Sequence, residues 1–206
     1  MKSTTVFIII LLAMTTLAIV PPREAQAAAF ARDLNASLRL TQVIEEGKAL
    51  EITYEVRNIG KNEIWVYVGN NTREGQPCEI KVIKADNKLY LGFTTVDVPD
   101  GVTPEEAITY RYKKLLPGRA MMFRLTLNSV VADFHPVSGM GQARVKARDI
   151  GALELRVGYY KKALDKEDAC CIPAKRPGEI SVRDTWSTSN MEDTLSVVVS
   201  KKHRWK

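Results

Sequence analysis

The sequence predicts an all-β fold in which two antiparallel sheets pack against each other as a sandwich. Apolar side chains alternate with polar ones along several short segments, and this is the period of a half-buried strand. Gly, Pro, Asn and Asp separate these segments at fairly regular intervals. Helical features are limited to one turn at Thr103–Glu106. We therefore expect seven to nine strands, a pattern more typical of two packed sheets than of a closed barrel.

The N-terminal residues have the features of a secretion signal. Lys2 supplies a positive end, Val6–Val20 is mostly apolar, and Ala25-Gln26-Ala27 is a small-x-small cleavage site. A membrane anchor is the alternative, but the apolar run is shorter than the roughly 18–20 residues of a spanning helix. We expect residues 1–27 to be a cleaved signal peptide and the protein to be secreted or periplasmic, with no transmembrane anchor after cleavage.

The remaining length and the charge limit the class of protein. Residues 28–200 have the length of one domain, which buries a core without needing disulfide staples, and residues 201–206 form a basic tail. The net charge of +6 permits weak attraction to anionic surfaces. It does not indicate a nucleic-acid-binding protein.

The clearest predicted strand is Ala49–Asn58, which places β-branched and aromatic residues on one face. Leu153–Tyr159 has the second clearest alternation. Asp86-Asn87 predicts a tight hairpin turn because both residues tolerate a positive φ. Leu116–Arg119 predicts a type II turn because Pro and Gly occupy its central positions. The other segments with strand periodicity are Ser37–Val43, Glu63–Val68, Cys78–Lys84, Lys88–Phe93, Ile108–Lys113, Met121–Leu127, Ile180–Val182 and Leu195–Val199.

Two segments lack a clear period. Asn128–Arg148 stays ambiguous, because His135-Pro136, Ser138-Gly139 and Gly141 are loop signals within it. Lys161–Glu192 is mostly polar and far longer than the usual connection of about 4–6 residues, so we expect a long loop before the last strand, with Ile180–Val182 as a short strand inside it. In a sandwich this loop would project from one end, beside the turn that follows Ala49–Asn58.

The segment Asp149–Val157 resembles the strand that follows the tyrosine corner in immunoglobulin-like domains. Their pattern is Asp-x-Gly/Ala-x-Tyr-x-Cys, and Asp149 and Gly151 match its first two positions. Leu153 stands where the tyrosine would be, and Leu155 stands where the cysteine would be. The resemblance therefore implies an immunoglobulin-like sandwich in which aliphatic packing replaces the disulfide between the sheets.

The resemblance extends over roughly Ser37–Ser200. Trp65 is similar to the core tryptophan of the third strand, and Ile52 or Tyr54 would take the place of the partner cysteine. The turn at Asn58–Gly60 and the Leu-Pro-Gly turn resemble those of bacterial exported immunoglobulin-like domains. Proteinase-inhibitor-type domains of bacilli are similar. The resemblance implies an architecture only, because such sandwiches have many unrelated functions.

The favoured function is a non-enzymatic binding module whose partner is a protein or a component of the cell envelope. Recognition is expected through the loop Lys161–Glu192, or through an exposed sheet edge that accepts a strand. Mixed charge with an aromatic residue suits a protein-binding surface. The candidate partner-binding residues in the loop are Lys161, Lys162, Lys175, Arg176 and Trp186.

The three cysteines are candidates for a disulfide bond, because an exported protein meets an oxidising compartment. We favour a bridge from Cys78 to either Cys170 or Cys171, which would pin the long loop to the hairpin at Cys78–Phe93. A strained vicinal disulfide between Cys170 and Cys171 is an alternative, and two free thiols are another.

Two other functions have weaker sequence support. Catalysis by a nucleophile and a base would have to use His135, with Ser138 or a cysteine as nucleophile, but no known local signature surrounds them. No cofactor is predicted. A periplasmic copper-binding or redox protein is the alternative, because cuprous copper favours soft ligands. The soft ligands in the chain are Met121, Met122, His135, Met140, Cys170 and Cys171.

Overall fold

The structure is a computed structural model that describes residues 29–46, 49–71, 75–96, 108–161, 164, 171–173, 176–183 and 192–201. The predicted signal peptide, the helical turn at Thr103–Glu106 and residues 202–206 of the basic tail lie outside the described residues. Among the described residues there is no helix of the length and apolarity needed to span a membrane.

The described residues form fourteen strands and two short 3-10 turns. The strands are β1 (Ala29–Arg32), β2 (Ala36–Glu46), β3 (Ala49–Asn58), β4 (Ile64–Asn70), β5 (Glu79–Ile83), β6 (Lys88–Phe93), β7 (Thr109–Leu115), β8 (Ala120–Leu127), β9 (Val130–His135), β10 (Gly139–Lys146), β11 (Ala152–Tyr160), β12 (Cys171–Pro173), β13 (Glu179–Arg183) and β14 (Asp193–Ser200). The 3-10 turns are Lys84–Asp86 and Ala147–Asp149.

The strands form two sheets. The small sheet has the order β1-β2-β3-β8, and the large sheet has the order β10-β9-β5-β6-β11-β4-β7-β13-β12, with β14 also paired to β11. The two clearest predicted strands, β3 and β11, each have neighbours on both sides. Alternate residues of β3 from Leu50 to Asn58 are buried, as its period predicted. The prediction of an all-β fold is confirmed.

The large sheet is mixed, because β6 and β11 pair in parallel from Lys88↔Ala152 to Phe93↔Val157. The other pairings in both sheets are antiparallel among the described strands. Local periodicity could not reveal the parallel pair, since it joins strands that are distant in the sequence.

One hydrophobic core lies between the sheets and takes side chains from both. The Tyr54 ring of the small sheet stacks on Phe123 with 4.8 Å between centroids. It also contacts Phe93 of the large sheet at 5.3 Å. Aromatic pairs of this kind contribute beyond the area they bury. Leu153 and Leu155 are fully buried in the same core.

The prediction of seven to nine strands is wrong, since it is too low. β9 and β10 form a hairpin within Asn128–Arg148, the segment that the sequence leaves ambiguous. The Nδ1 atom of His135 accepts the N–H groups of Val137 and Ser138 at 3.3 and 3.4 Å, and this closes the turn despite the Pro and Gly signals. β1 and β12 were missed because three or four residues are too few to show a period.

The prediction of the turn at Leu116–Arg119 is confirmed, and that of the turn at Asp86-Asn87 is confirmed only in part. The Arg119 N–H donates to Leu116 C=O at 3.1 Å, and Gly118 has a φ of +72°, as a type II turn requires. Asn87 adopts the expected positive φ of +47°. Asp86, however, belongs to a 3-10 turn, so the connection between β5 and β6 is longer than the expected two residues.

Candidate functional site

Four turns meet at one end of the molecule, which we call the loop end. They are Asp33–Asn35, Ile59–Glu63, Leu116–Arg119 and Arg176–Gly178. The first two are joined by backbone hydrogen bonds, because Asn35 C=O accepts the N–H groups of Ile59 and Gly60 at 2.8 and 3.0 Å. The Lys114 N–H, just before the third turn, donates to Gly178 C=O of the fourth at 3.0 Å. The turns therefore form one connected surface.

Asn58 holds the loop end together from inside. Its side chain is fully buried, and its Nδ2 atom donates to the carbonyl groups of Asn62 and Leu115, both at 2.8 Å. Its Oδ1 atom accepts the Gly60 N–H at 3.0 Å. An Ala side chain could make none of these bonds, so the geometry of two turns depends on this single amide.

The two ends of the long segment Lys161–Glu192 also reach the loop end. Lys161 Nζ lies 2.8 Å from Asp193 Oδ1, so the residues that begin and follow the segment are in contact. Asp33 accepts a hydrogen bond from the Tyr159 hydroxyl. Burial alone would raise the pKa of Asp33, but the bonds from Tyr159 and from the Ala36 and Asn35 amides lower it on balance.

The predicted partner-binding residues are only partly described. Lys161 and Arg176 are exposed and lie at the loop end. Lys162, Lys175 and Trp186 lie outside the described residues. The structure therefore places two of the five candidates on one surface.

The favoured disulfide from Cys78 is not formed, and this corrects the prediction. Cys78 is a free and fully buried thiol that accepts a hydrogen bond from Asn70 Nδ2 over 3.6 Å. Burial raises its pKa to about 12. Cys170 and the side chain of Cys171 lie outside the described residues, so the vicinal disulfide stays a prediction.

The other soft ligands do not form a group in the described part of the chain. Met122 is 60% exposed, whereas Met121 faces the core, because neighbours on a strand point to opposite sides. His135 closes the β9–β10 turn, and the side chain of Met140 lies outside the described residues. Within the described residues no three His, Cys, Asp or Glu side chains are placed to hold a metal ion.

Glu192 is a buried carboxylate that sequence reasoning missed. Oε2 accepts bonds from the Thr94 hydroxyl and from the N–H and hydroxyl of Thr95, the latter two at 2.8 Å, and Oε1 accepts the Tyr112 hydroxyl at 2.6 Å. Burial raises the pKa of Glu192, although these bonds act in the opposite direction. None of the described Lys or Arg residues forms an ion pair with it.

The path of the Glu192 side chain explains a glycine in the middle of β11. A Cβ atom on Gly158 would lie only 2.0 Å from Glu192 Oε1. The carboxylate therefore crosses β11 at the one position that has no side chain. Glu192 anchors the residue that precedes β14, and we assign it a structural role.

β8 presents a free edge of the small sheet, since β3 is its only partner among the described strands. The edge is eight residues long, has no register shift, and carries Arg124 as its single charged residue. The other edges are less open to a new strand. β1 has four residues, β12 has three and ends in proline, β10 is interrupted by a bulge, and β14 lies against β1 and β2.

The ladder with β3 determines which backbone groups of β8 are free. Asn58 N–H donates to Arg119 C=O at 3.0 Å, so the backbone polar groups of Asn58 point toward β8. Thr53 C=O accepts a hydrogen bond from the Thr41 hydroxyl of β2 at 2.9 Å, so the backbone polar groups of Thr53 point toward β2 and away from β8. Bonding and non-bonding pairs alternate in an antiparallel ladder, so only the odd-numbered residues of β8 bond β3. The N–H and C=O groups of the even-numbered residues, among them Met122, Arg124 and Thr126, therefore face the free edge.

Comparison with known proteins finds no match to this chain among family models, curated protein sequences or solved structures. The resemblance to immunoglobulin-like domains therefore stays a prediction. Function must be inferred from the surfaces described above.

Proposed function

We propose that this chain is an exported, non-enzymatic binding module with an immunoglobulin-like sandwich architecture. It captures an extended polypeptide segment, which adds to the small sheet beside β8. The signal features at Lys2, Val6–Val20 and Ala25–Ala27 support export. The buried Trp65 and the fully buried Leu153 and Leu155 support the architecture, because they occupy the core positions that the resemblance implies.

The free edge of β8 carries this proposal. Met122, Arg124 and Thr126 present backbone donors and acceptors two residues apart along a strand whose ladder with β3 has no register shift. Only another extended backbone offers complementary groups with this spacing, so strand addition is the recognition mode that fits. The long, regular edge is also the kind that proteins normally protect unless it is used.

The side chains beside the edge indicate which segment would bind. Met121 and Phe123 face the core but remain partly exposed, although Leu125 and Leu127 on the same face are buried. A strand beside β8 would place alternate side chains next to Met121 and Phe123. The partner segment should therefore be extended, with apolar residues at alternate positions.

A synthetic peptide tests the proposal. The probe alternates valine with threonine over eight residues and carries a lysine at each end. We expect slower amide hydrogen exchange at Met122, Arg124 and Thr126 when the peptide binds. Arg124→Pro should weaken binding by about tenfold or more, because it removes a donor worth about 1 kcal/mol and places a ring at the edge.

The control variants separate the edge from the fold. Arg124→Ala keeps the backbone N–H and should bind like the wild type. Phe123→Pro removes a bond to β3, so it should unfold the sheet where Arg124→Pro does not. Wild-type affinity of Arg124→Pro, or unchanged exchange at Met122, Arg124 and Thr126 when the peptide binds, would contradict the proposal.

A further inference from the structure

The loop end displays three large apolar side chains on three separate turns. Leu34 is 90% exposed, Leu116 is 53% exposed and Ile59 is 44% exposed. Single exposed apolar residues are ordinary on protein surfaces, but a group of them at one end indicates an interaction surface. Strand addition at β8 does not use these residues.

The backbone holds these side chains in place. Ile59 lies on the turn that is bonded to Asn35, the residue after Leu34, through the Ile59 and Gly60 N–H groups. Leu116 follows Leu115, whose carbonyl accepts the buried Asn58 amide. The turns are thus ordered before any partner arrives, and an ordered surface binds at lower entropic cost.

Basic residues surround the apolar side chains. Arg32, Arg57, Lys61 and Arg119 are all exposed on or next to the three turns. The neighbouring acids are already engaged among the described residues. Glu55 pairs with Arg57 at 3.3 Å, and Glu63 pairs with Lys114 at 2.9 Å.

Asp33 and Asp193 are the other described acids at this surface. Asp33 accepts hydrogen bonds from the Tyr159 hydroxyl and from the Asn35 and Ala36 amides, and Asp193 pairs with Lys161 at 2.8 Å. With Glu55 and Glu63 also paired, the exposed cations among the described residues outnumber the carboxylates that remain available there. The loop end therefore has a positive rim around apolar tips.

We propose that the loop end docks on the surface of a lipid bilayer that contains anionic headgroups. Leu34, Ile59 and Leu116 enter the boundary between headgroups and acyl chains, while Arg32, Lys61 and Arg119 contact the phosphates. Charge complementarity favours an anionic surface, and apolar tips on separate turns suit a fluid interface better than a flat protein face. β8 runs away from this end after Ala120, so its edge stays accessible on the docked protein.

Vesicle co-sedimentation tests this surface. The protein is collected as cells export it, and its N-terminus is determined by mass spectrometry, because an uncleaved signal would itself bind lipid. The vesicles contain phosphatidylcholine alone or with about 30% phosphatidylglycerol. We expect binding to the anionic vesicles only, weakening as salt is raised, since exposed charges are screened.

Two sets of variants identify the residues. Each of two triple variants should reduce vesicle binding by about tenfold or more. The apolar variant combines Leu34→Ser, Ile59→Ser and Leu116→Ser, and the basic variant combines Arg32→Gln, Lys61→Gln and Arg119→Gln. The matched controls change exposed residues at the opposite end or side. They are Val130→Ser with Val198→Ser, and Lys84→Gln with Arg144→Gln and Lys146→Gln.

The outcomes are distinguishable from those of the β8 proposal. The control variants should bind vesicles like the wild type, and the loop-end variants should still bind the valine–threonine peptide. Equal losses in the loop-end and control variants would overturn the lipid proposal. Failure of the wild type to bind anionic vesicles would also overturn it, and would redirect the loop end to a protein partner.

Discussion

The buried side-chain amide of Asn58 donates to the backbone carbonyl of Leu115 over 2.8 Å, although 57 positions separate the two residues in the chain. This bond links the end of β3 in the small sheet to the end of β7 in the large sheet. The same Nδ2 group bonds Asn62 C=O. The loop end is therefore organised by one residue that belongs to the clearest predicted strand.

Asn58→Ala should lower the free energy of unfolding by about 2–3 kcal/mol, because it removes two donors and leaves a buried carbonyl unpaired. Urea denaturation measures this change. Asn62→Ala is the matched control, since Asn62 is exposed and contributes only its backbone carbonyl. A loss as large in the control as in Asn58→Ala would contradict the role of Asn58.

Glu192 should make the protein less stable as the pH rises. Burial raises its folded-state pKa above the ordinary value of 4.5, so the folded protein holds this proton more tightly than the unfolded chain does. The stability contribution is fully present below pH 4.5 and is lost as the pH rises through the folded-state pKa. Glu192→Gln should remove this slope, as measured by urea unfolding across a pH series.

The pH dependence of stability that Asp33 contributes has the opposite sign, and Asp33 therefore serves as the control. Its folded-state pKa is lowered from 3.8, so its contribution is present above that value and is lost as the pH falls through the folded-state pKa. Asp33→Asn should therefore reduce stability at neutral pH more than at low pH. The prediction for Glu192 is contradicted if Glu192→Gln and the wild type have parallel pH profiles.

Gly158→Ala should destabilise the protein by roughly 2 kcal/mol or more, because the new Cβ displaces a carboxylate that has four donors. In a Glu192→Ala background the same change should cost much less. A double-mutant cycle measured by thermal or urea unfolding gives the coupling energy. Additive effects would mean that Glu192 does not cross β11 at Gly158.

Cys78 should react slowly with iodoacetamide in the folded protein. At pH 8 a buried thiol with a pKa of about 12 forms the thiolate about a thousandfold less often than a free cysteine does. Peptide mapping after alkylation measures the labelling of Cys78 by itself. Urea without reductant should make Cys78 fully reactive, and continued protection in urea would indicate a disulfide instead.

Local patterns in the sequence were sufficient for most of the regular strands. β3, β6 and β11 follow from strict alternation, and the turn at Leu116–Arg119 follows from Pro and Gly at the positions that need them. The β9–β10 hairpin was missed because His135 closes it through a side-chain bond that no period reveals. The disulfide bridge from Cys78 was wrongly predicted, because the number of cysteines in a sequence says nothing about the distances between them.

The candidate surfaces were foreseen only in outline. The sequence predicted recognition at a long loop or a free sheet edge, and it placed Lys161 and Arg176 near the turn after β3. It could not identify β8 as the open edge, because the edges depend on the order of strands. It also could not group Leu34, Ile59 and Leu116, which come from turns far apart in the chain.

The sequence by itself determined the all-β class and the positions of the regular strands, because these depend on which neighbouring side chains alternate between core and solvent. Only the tertiary structure decided the parallel pairing of β6 with β11, the buried carboxylate of Glu192 opposite Gly158, and the joining of separate turns through Asn58. Each of these is a contact between residues distant in sequence. Such contacts depend on how the sheets pack, and packing has no signature within a single strand.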